Sequence, residues 1–117
     1  MYLESGLELL QKAQTKQLYQ GLVEQLKKDF VLAGIDFKLS SSVKPQDLLL
    51  LLKEKLYVLL LEHFDDYLNL LYVVDVPEKE FKKIDSDDIV KVAEGVAFLV
   101  LKREWQKVWS RSSFGQD

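Results

Sequence analysis

Apolar side chains at Leu3, Leu7, Leu10, Leu18, Leu22, Leu26 and Phe30 recur mostly at three- and four-residue steps. That spacing places them on one face of an α-helix. Gln14 is the single polar residue in the stripe. The opposite face carries Glu8, Lys12, Lys16, Gln20, Glu24, Lys27 and Lys28. Glu8–Lys12 and Glu24–Lys28 stand in the favoured order for pairs one turn apart, each contributing about 0.2–0.5 kcal/mol. The pattern predicts one long helix over 3–33, with Gly34 as its left-handed stop. Gly21 lies inside it and costs roughly 1 kcal/mol against alanine. It marks a bend or a close crossing by another helix.

Residues 36–44 read as a connector. Phe37 and Leu39 alternate with Lys38 and Ser40, which allows a short extended piece. Pro45 suits the first turn of a new helix, where its missing N–H costs nothing. A second helix is expected over 45–64. Its leucine run 48–52 and apolar run 56–61 wrap the whole circumference. Such a helix is either the centre of a bundle or shares a face with a second subunit. A short helix over 65–74 follows, broken by Asp75-Val76-Pro77, because the residue before proline is pushed out of the helical region. Residues 78–84 read as one or two exposed turns anchored by Phe81 and Ile84.

The last helix carries the fullest set of signals. Asp85 or Ser86 can cap it, and Asp87 and Asp88 suit the positive end of the helix dipole. Lys102, Arg103, Lys107 and Arg111 suit its negative end. Ile89, Val92, Ala93, Val96, Phe98, Leu99, Val100 and Leu101 lie between, and Trp105, Val108 and Trp109 extend the apolar surface. Residues 110–117 read as a frayed polar tail. The expected fold is all-α: one domain over 1–117, a bundle of about four main helices plus a short connecting one. Its core is expected from Leu7, Leu18, Leu22, Phe30, Leu49, Leu52, Leu56, Leu60, Leu71, Val92, Val96 and Leu99.

Composition narrows the chemistry. The chain has 117 residues, 16 basic and 19 acidic side chains, one histidine and no cysteine. Disulfides, zinc–thiolate sites and thiol catalysis are excluded. The net charge of -3 argues against a general nucleic-acid footprint. The longest apolar stretch, 48–61, is broken by Lys53, Glu54 and Lys55 and is too short to span a bilayer. With no signal-peptide pattern at Met1–Ser5, a soluble cytoplasmic protein without a membrane partner is expected.

Candidate sites are few. Glu62, His63 and Asp66 form the one metal-like group, with Asp65 beside them; a polar end to an apolar helix is the preferred account of them. Catalytic zinc normally takes three protein ligands, often several of them histidines. No nucleophile elbow or phosphate-binding glycine loop occurs. No catalytic residue and no cofactor is therefore assigned. Trp105 and Trp109 share a face of the last helix, as core or as interface anchors. Gly95, between Ala93 and Ala97, points to a closely packed partner helix from the same or a second chain.

The segment Leu70-Leu71-Tyr72-Val73-Val74-Asp75-Val76-Pro77, followed by Arg103-Glu104-Trp105-Gln106-Lys107, resembles short bacterial helical proteins of unassigned function. The resemblance covers roughly the last fifty residues and implies no activity, cofactor or site; it favours a bacterial cytoplasmic origin.

The expected function is a non-enzymatic protein-interaction module that pairs with itself as a homodimer or with another protein, with Gly95, Phe98, Trp105 and Trp109 at its interface. One alternative is a binder of a small ligand or metal, with Tyr57, His63, Tyr67 and Tyr72 around a pocket and Asp65 or Asp66 supplying polarity. A third is a nucleic-acid accessory using Lys102, Arg103, Lys107 and Arg111.

Overall fold

The computed structural model describes residues 2–114 and contains α-helices and no strand among them. Six helices follow one another: α1 (Tyr2–Thr15), α2 (Tyr19–Leu32), α3 (Pro45–Glu62), α4 (Phe64–Val74), α5 (Glu78–Phe81) and α6 (Ile89–Phe114). The all-α expectation holds, with one helix more than four plus a short one. The region expected to form a single helix is two, α1 and α2.

The break has a definite geometry. Gln17 takes a left-handed conformation with φ 61°. The Leu18 N–H donates to the Ala13 carbonyl at 2.8 Å, and the Gln17 N–H donates to that of Gln14 at 3.0 Å. This pair of bonds is the Schellman stop, which satisfies carbonyls at a helix end. The same pair closes α2 at Gly34 (Ile35 to Phe30, Gly34 to Val31) and α4 at Asp75 (Val76 to Leu71, Asp75 to Tyr72). Unbroken, a helix over 3–33 would run on the order of 45 Å, as long as the molecule's greatest dimension of 44 Å. The stop lets α1 and α2 pack separately on α6.

Gly34 sits at φ 73° with nothing near the position a side-chain methyl would take. Gly34→Ala therefore tests backbone conformation without a steric clash. It is expected to lower stability by about 1–2 kcal/mol, read as a lower thermal midpoint. An unchanged midpoint would show that α2 can stop another way.

Helix α6 packs against each of the other five helices. It is capped by Asp88, whose side chain accepts from the Val90 N–H at 3.0 Å, rather than by Asp85 or Ser86. It continues to Phe114, through the first part of the segment expected to fray; residues 115–117 lie outside those described. Helix α3 touches only α1, α4 and α6. The apolar-all-round helix is therefore a flanking one, and the centre belongs to α6. Of the expected core, Leu22, Phe30, Leu49, Leu52, Leu56, Leu71, Val96 and Leu99 are buried, while Leu7, Leu18, Leu60 and Val92 pack partly buried against it. Gly21 is a close crossing: a Cβ there would lie 3.3 Å from Val108 of α6.

Candidate functional site

Because α3 is a flanking helix, part of its apolar circumference has no cover. Leu50, Leu51, Val58 and Leu61 are 47, 40, 40 and 54% exposed. They recur at helical spacing along the outer face of α3, interrupted by Glu54. Beside them a cleft of about 320 Å³ opens between α3 and α6, lined by Lys53, Glu54, Tyr57, Val58, Val90 and Ala93. Its walls are almost wholly apolar, and Val90 at its rim is exposed. Phe64, Leu68 and Tyr72 are exposed on α4, and Val31 and Leu32 at the end of α2. Contiguous apolar surface on a small protein marks a binding face.

The residues expected at an interface on α6 are placed differently. Gly95 is buried, and its close neighbours come from the same chain: a Cβ there would lie 2.9 Å from Ile84 and 3.1 Å from Tyr2. Phe98 faces Tyr2, with ring centroids 6.2 Å apart. Trp105 and Trp109 stack at 5.6 Å. Lys12 of α1 and Lys16 just beyond its end lie over them, each 6.0 Å from a ring centroid, a cation–π arrangement that ties this end of α1 to α6. Trp105 is half-buried and Trp109 is exposed.

Glu62, His63, Asp65 and Asp66 are all exposed around an open hollow where α3 meets α4. Among the described residues no three acidic or histidine side chains are grouped so as to hold a metal ion. Nor do Tyr57, His63, Tyr67 and Tyr72 gather around one pocket. Tyr57 borders the α3–α6 cleft, Tyr67 is buried, and His63 and Tyr72 face solvent. Burial alone pushes the Tyr67 hydroxyl up to about 12.

The four basic residues towards the end of α6 that could meet nucleic acid already have partners. Lys102 lies 3.7 Å from Glu80. Arg103 donates to the backbone and side chain of Asp75 at 3.0 and 3.1 Å. Arg111 donates to the Gln25 side-chain oxygen. Lys107 lies 2.8 Å from Asp29 and 3.3 Å from Glu104. These contacts remove the main support for a phosphate-binding surface there.

Lys107 belongs to a polar cluster set into the core between α2 and α6. Asp29 is buried and accepts from both Lys107 (2.8 Å) and Gln25 (3.0 Å). Glu104 is fully buried, and neither of its oxygens has a hydrogen-bond partner despite the nearby lysine. Burial pushes its carboxyl up to about 9, helped by the proximity of the Asp29 carboxyl; Lys107 pulls the other way. Of the two buried carboxyls beside this ammonium, Glu104 is the farther from it and holds its proton at pH 7. Sequence reading gave Lys107 to the helix dipole and missed this cluster. Its signal was periodic: Glu104 occupies a core position in the series Ala93, Ala97, Val100, Leu101, Val108. Its two carboxyls are buried, while Lys107 and Arg111 reach solvent at its edge.

The chain matches none of the family models, curated proteins or solved structures with which it was compared. Within the described residues no helix is long and apolar enough to cross a membrane. The fold thus defines an all-α helical bundle, and the functional reading rests on its surfaces.

Proposed function

We propose that this chain is a non-enzymatic protein-interaction module that pairs with a second copy of itself through the outer face of α3. The observation that carries the reading is the row Leu50, Leu51, Val58 and Leu61, two-fifths or more exposed along one helix, beside an apolar cleft. Covering such a row removes apolar surface from water, which is favourable and needs no chemistry. The close approach at Gly95 is met within the chain, and the face taken for pairing is therefore that of α3.

Size-exclusion chromatography with light scattering over a dilution series tests this. The expected mass is twice that of one chain at micromolar concentration. Val58→Lys places a charge on the exposed row without touching the core, and is expected to give the mass of a single chain. A monomer at every concentration would overturn the self-association, and a dimer indifferent to Val58→Lys would remove α3 from its interface.

A further inference from the structure

The polar cluster between α2 and α6 stands where α6 changes character. Up to Glu104 the helix is a core element, with Val96, Ala97, Val100 and Leu101 fully buried. Among residues 105–113 only Val108 is buried. Three ties lead from this end of α6 to α2. Val108 passes close to Gly21, Lys107 donates to Asp29, and Arg111 donates to Gln25. Glu104 stands at the root of the segment, fully buried, with no hydrogen-bond partner for either oxygen. The charged groups that bear on it are Asp29 from α2 and Lys107 from its own helix. Charges on the other elements packed against α6 are engaged elsewhere. Lys12 and Lys16 lie over the tryptophan rings, Asp75 takes Arg103, and Glu80 takes Lys102. Lys53 and Glu54 of α3 border the apolar cleft. An ionised Glu104 would thus be a second buried negative charge beside Asp29, without a donor and without water, which is costly. Lifting the end of α6 off α2 would give that carboxylate its water.

We propose that residues 105–113 form a proton-held latch on α2: the latch is closed with Glu104 protonated, and its opening hands that proton to water. The opening is local. One buried side chain, Val108, anchors the segment, whereas the helix before Glu104 stays packed in the core. Lys107 and Arg111, at the solvent edge of the cluster, are the ties that part as the segment lifts. The closed state holds the proton to about 9 and the opened carboxyl ionises at its ordinary value of 4.5. Between those values each rise of one pH unit favours opening about tenfold. The latch is independent of the self-pairing of α3.

Native-state hydrogen exchange of the intact chain, followed between pH 5 and pH 8, tests the latch, with Glu104→Gln as the comparison. Exchange chemistry itself speeds up about tenfold per pH unit, and an opening that releases one proton adds about another tenfold. In the parent, the backbone amides of residues 108–112 are expected to gain about a hundredfold per pH unit. They are also expected to exchange roughly tenfold or more ahead of the amides of residues 96–101. In Glu104→Gln the gain at 108–112 falls to about tenfold per unit. A gain of only about tenfold in the parent would be ordinary fraying and would overturn the latch. So would equal rates at 108–112 and 96–101, which mean that the segment opens only when the whole chain unfolds. The parent's steep gain persisting in Glu104→Gln would assign the proton to another group and overturn it as well. If Glu104→Gln does not fold, Glu104→Met, apolar and of similar length, takes its place with the same expectation.

Discussion

Lys107→Met is expected to destabilise the fold by about 3–5 kcal/mol, the usual cost of removing one partner from a buried ion pair. The ammonium lies 2.8 Å from Asp29 and 3.3 Å from Glu104. Asp29 is only 2% exposed. Without the lysine its remaining partner is the Gln25 amide at 3.0 Å, which supplies a dipole but no charge. Methionine fills much of the same space, so packing changes little and the effect is mainly electrostatic. Both tryptophans lie on α6 near the cluster, which makes their fluorescence a direct reporter during urea unfolding. A loss below 1 kcal/mol would show that water reaches Asp29 and that the cluster is not closed.

The second large effect concerns Glu104 and has the opposite sign. In the unfolded chain its carboxyl ionises at its ordinary value of 4.5; in the fold it holds its proton to about 9. Between those values the native state binds one more proton than the unfolded state, so this group's contribution falls as pH rises through the window. It is level below 4.5 and again above 9. Each pH unit inside the window corresponds to about 1.4 kcal/mol, which puts the loss by pH 7 on the order of 3 kcal/mol. Glutamine has nearly the same shape, has no proton to lose, and can offer its amide to Asp29. Glu104→Gln is therefore expected to match the parent near pH 4.5 and exceed its stability by on the order of 3 kcal/mol at pH 7. Urea unfolding at pH 5, 7 and 9 measures the gap, and parallel curves for the two proteins would refute the assignment.

Elements backed by several signals at once are legible in the sequence. Pro45 at the first turn and the long apolar run define α3, and the charge gradient with its capping acid defines α6. The all-α class follows from these. Gly34 shows where α2 stops, because glycine is the usual residue for a left-handed turn. Gln17 and Asp75 end α1 and α4 by the same pair of bonds, but a glutamine gives no warning of that conformation. The apolar stripe running past Gln17 therefore reads as continuous.

The placement of α3 fails for a different reason. Periodicity shows that a helix is apolar all round and cannot say how much of it neighbours will cover. That depends on which helix takes the centre, a tertiary outcome. The candidate binding face was thus visible as surplus apolar surface, yet the sequence assigned it partly to Gly95 and the tryptophans. Glu104 was readable as a polar residue in a core position; its pairing with Asp29, far away along the chain, was not.

The central position of α6 also constrains how the chain matures on the ribosome. Helices α1 to α5 all emerge before the helix on which each of them packs. At about 5–20 residues per second, synthesis of the 26 residues of α6 takes roughly one to five seconds. Throughout that interval α1, α2 and α3 lack the helix on which each of them packs most. Closure of the core thus waits until α6 has emerged, and the nascent chain carries exposed leucine-rich surface in the meantime.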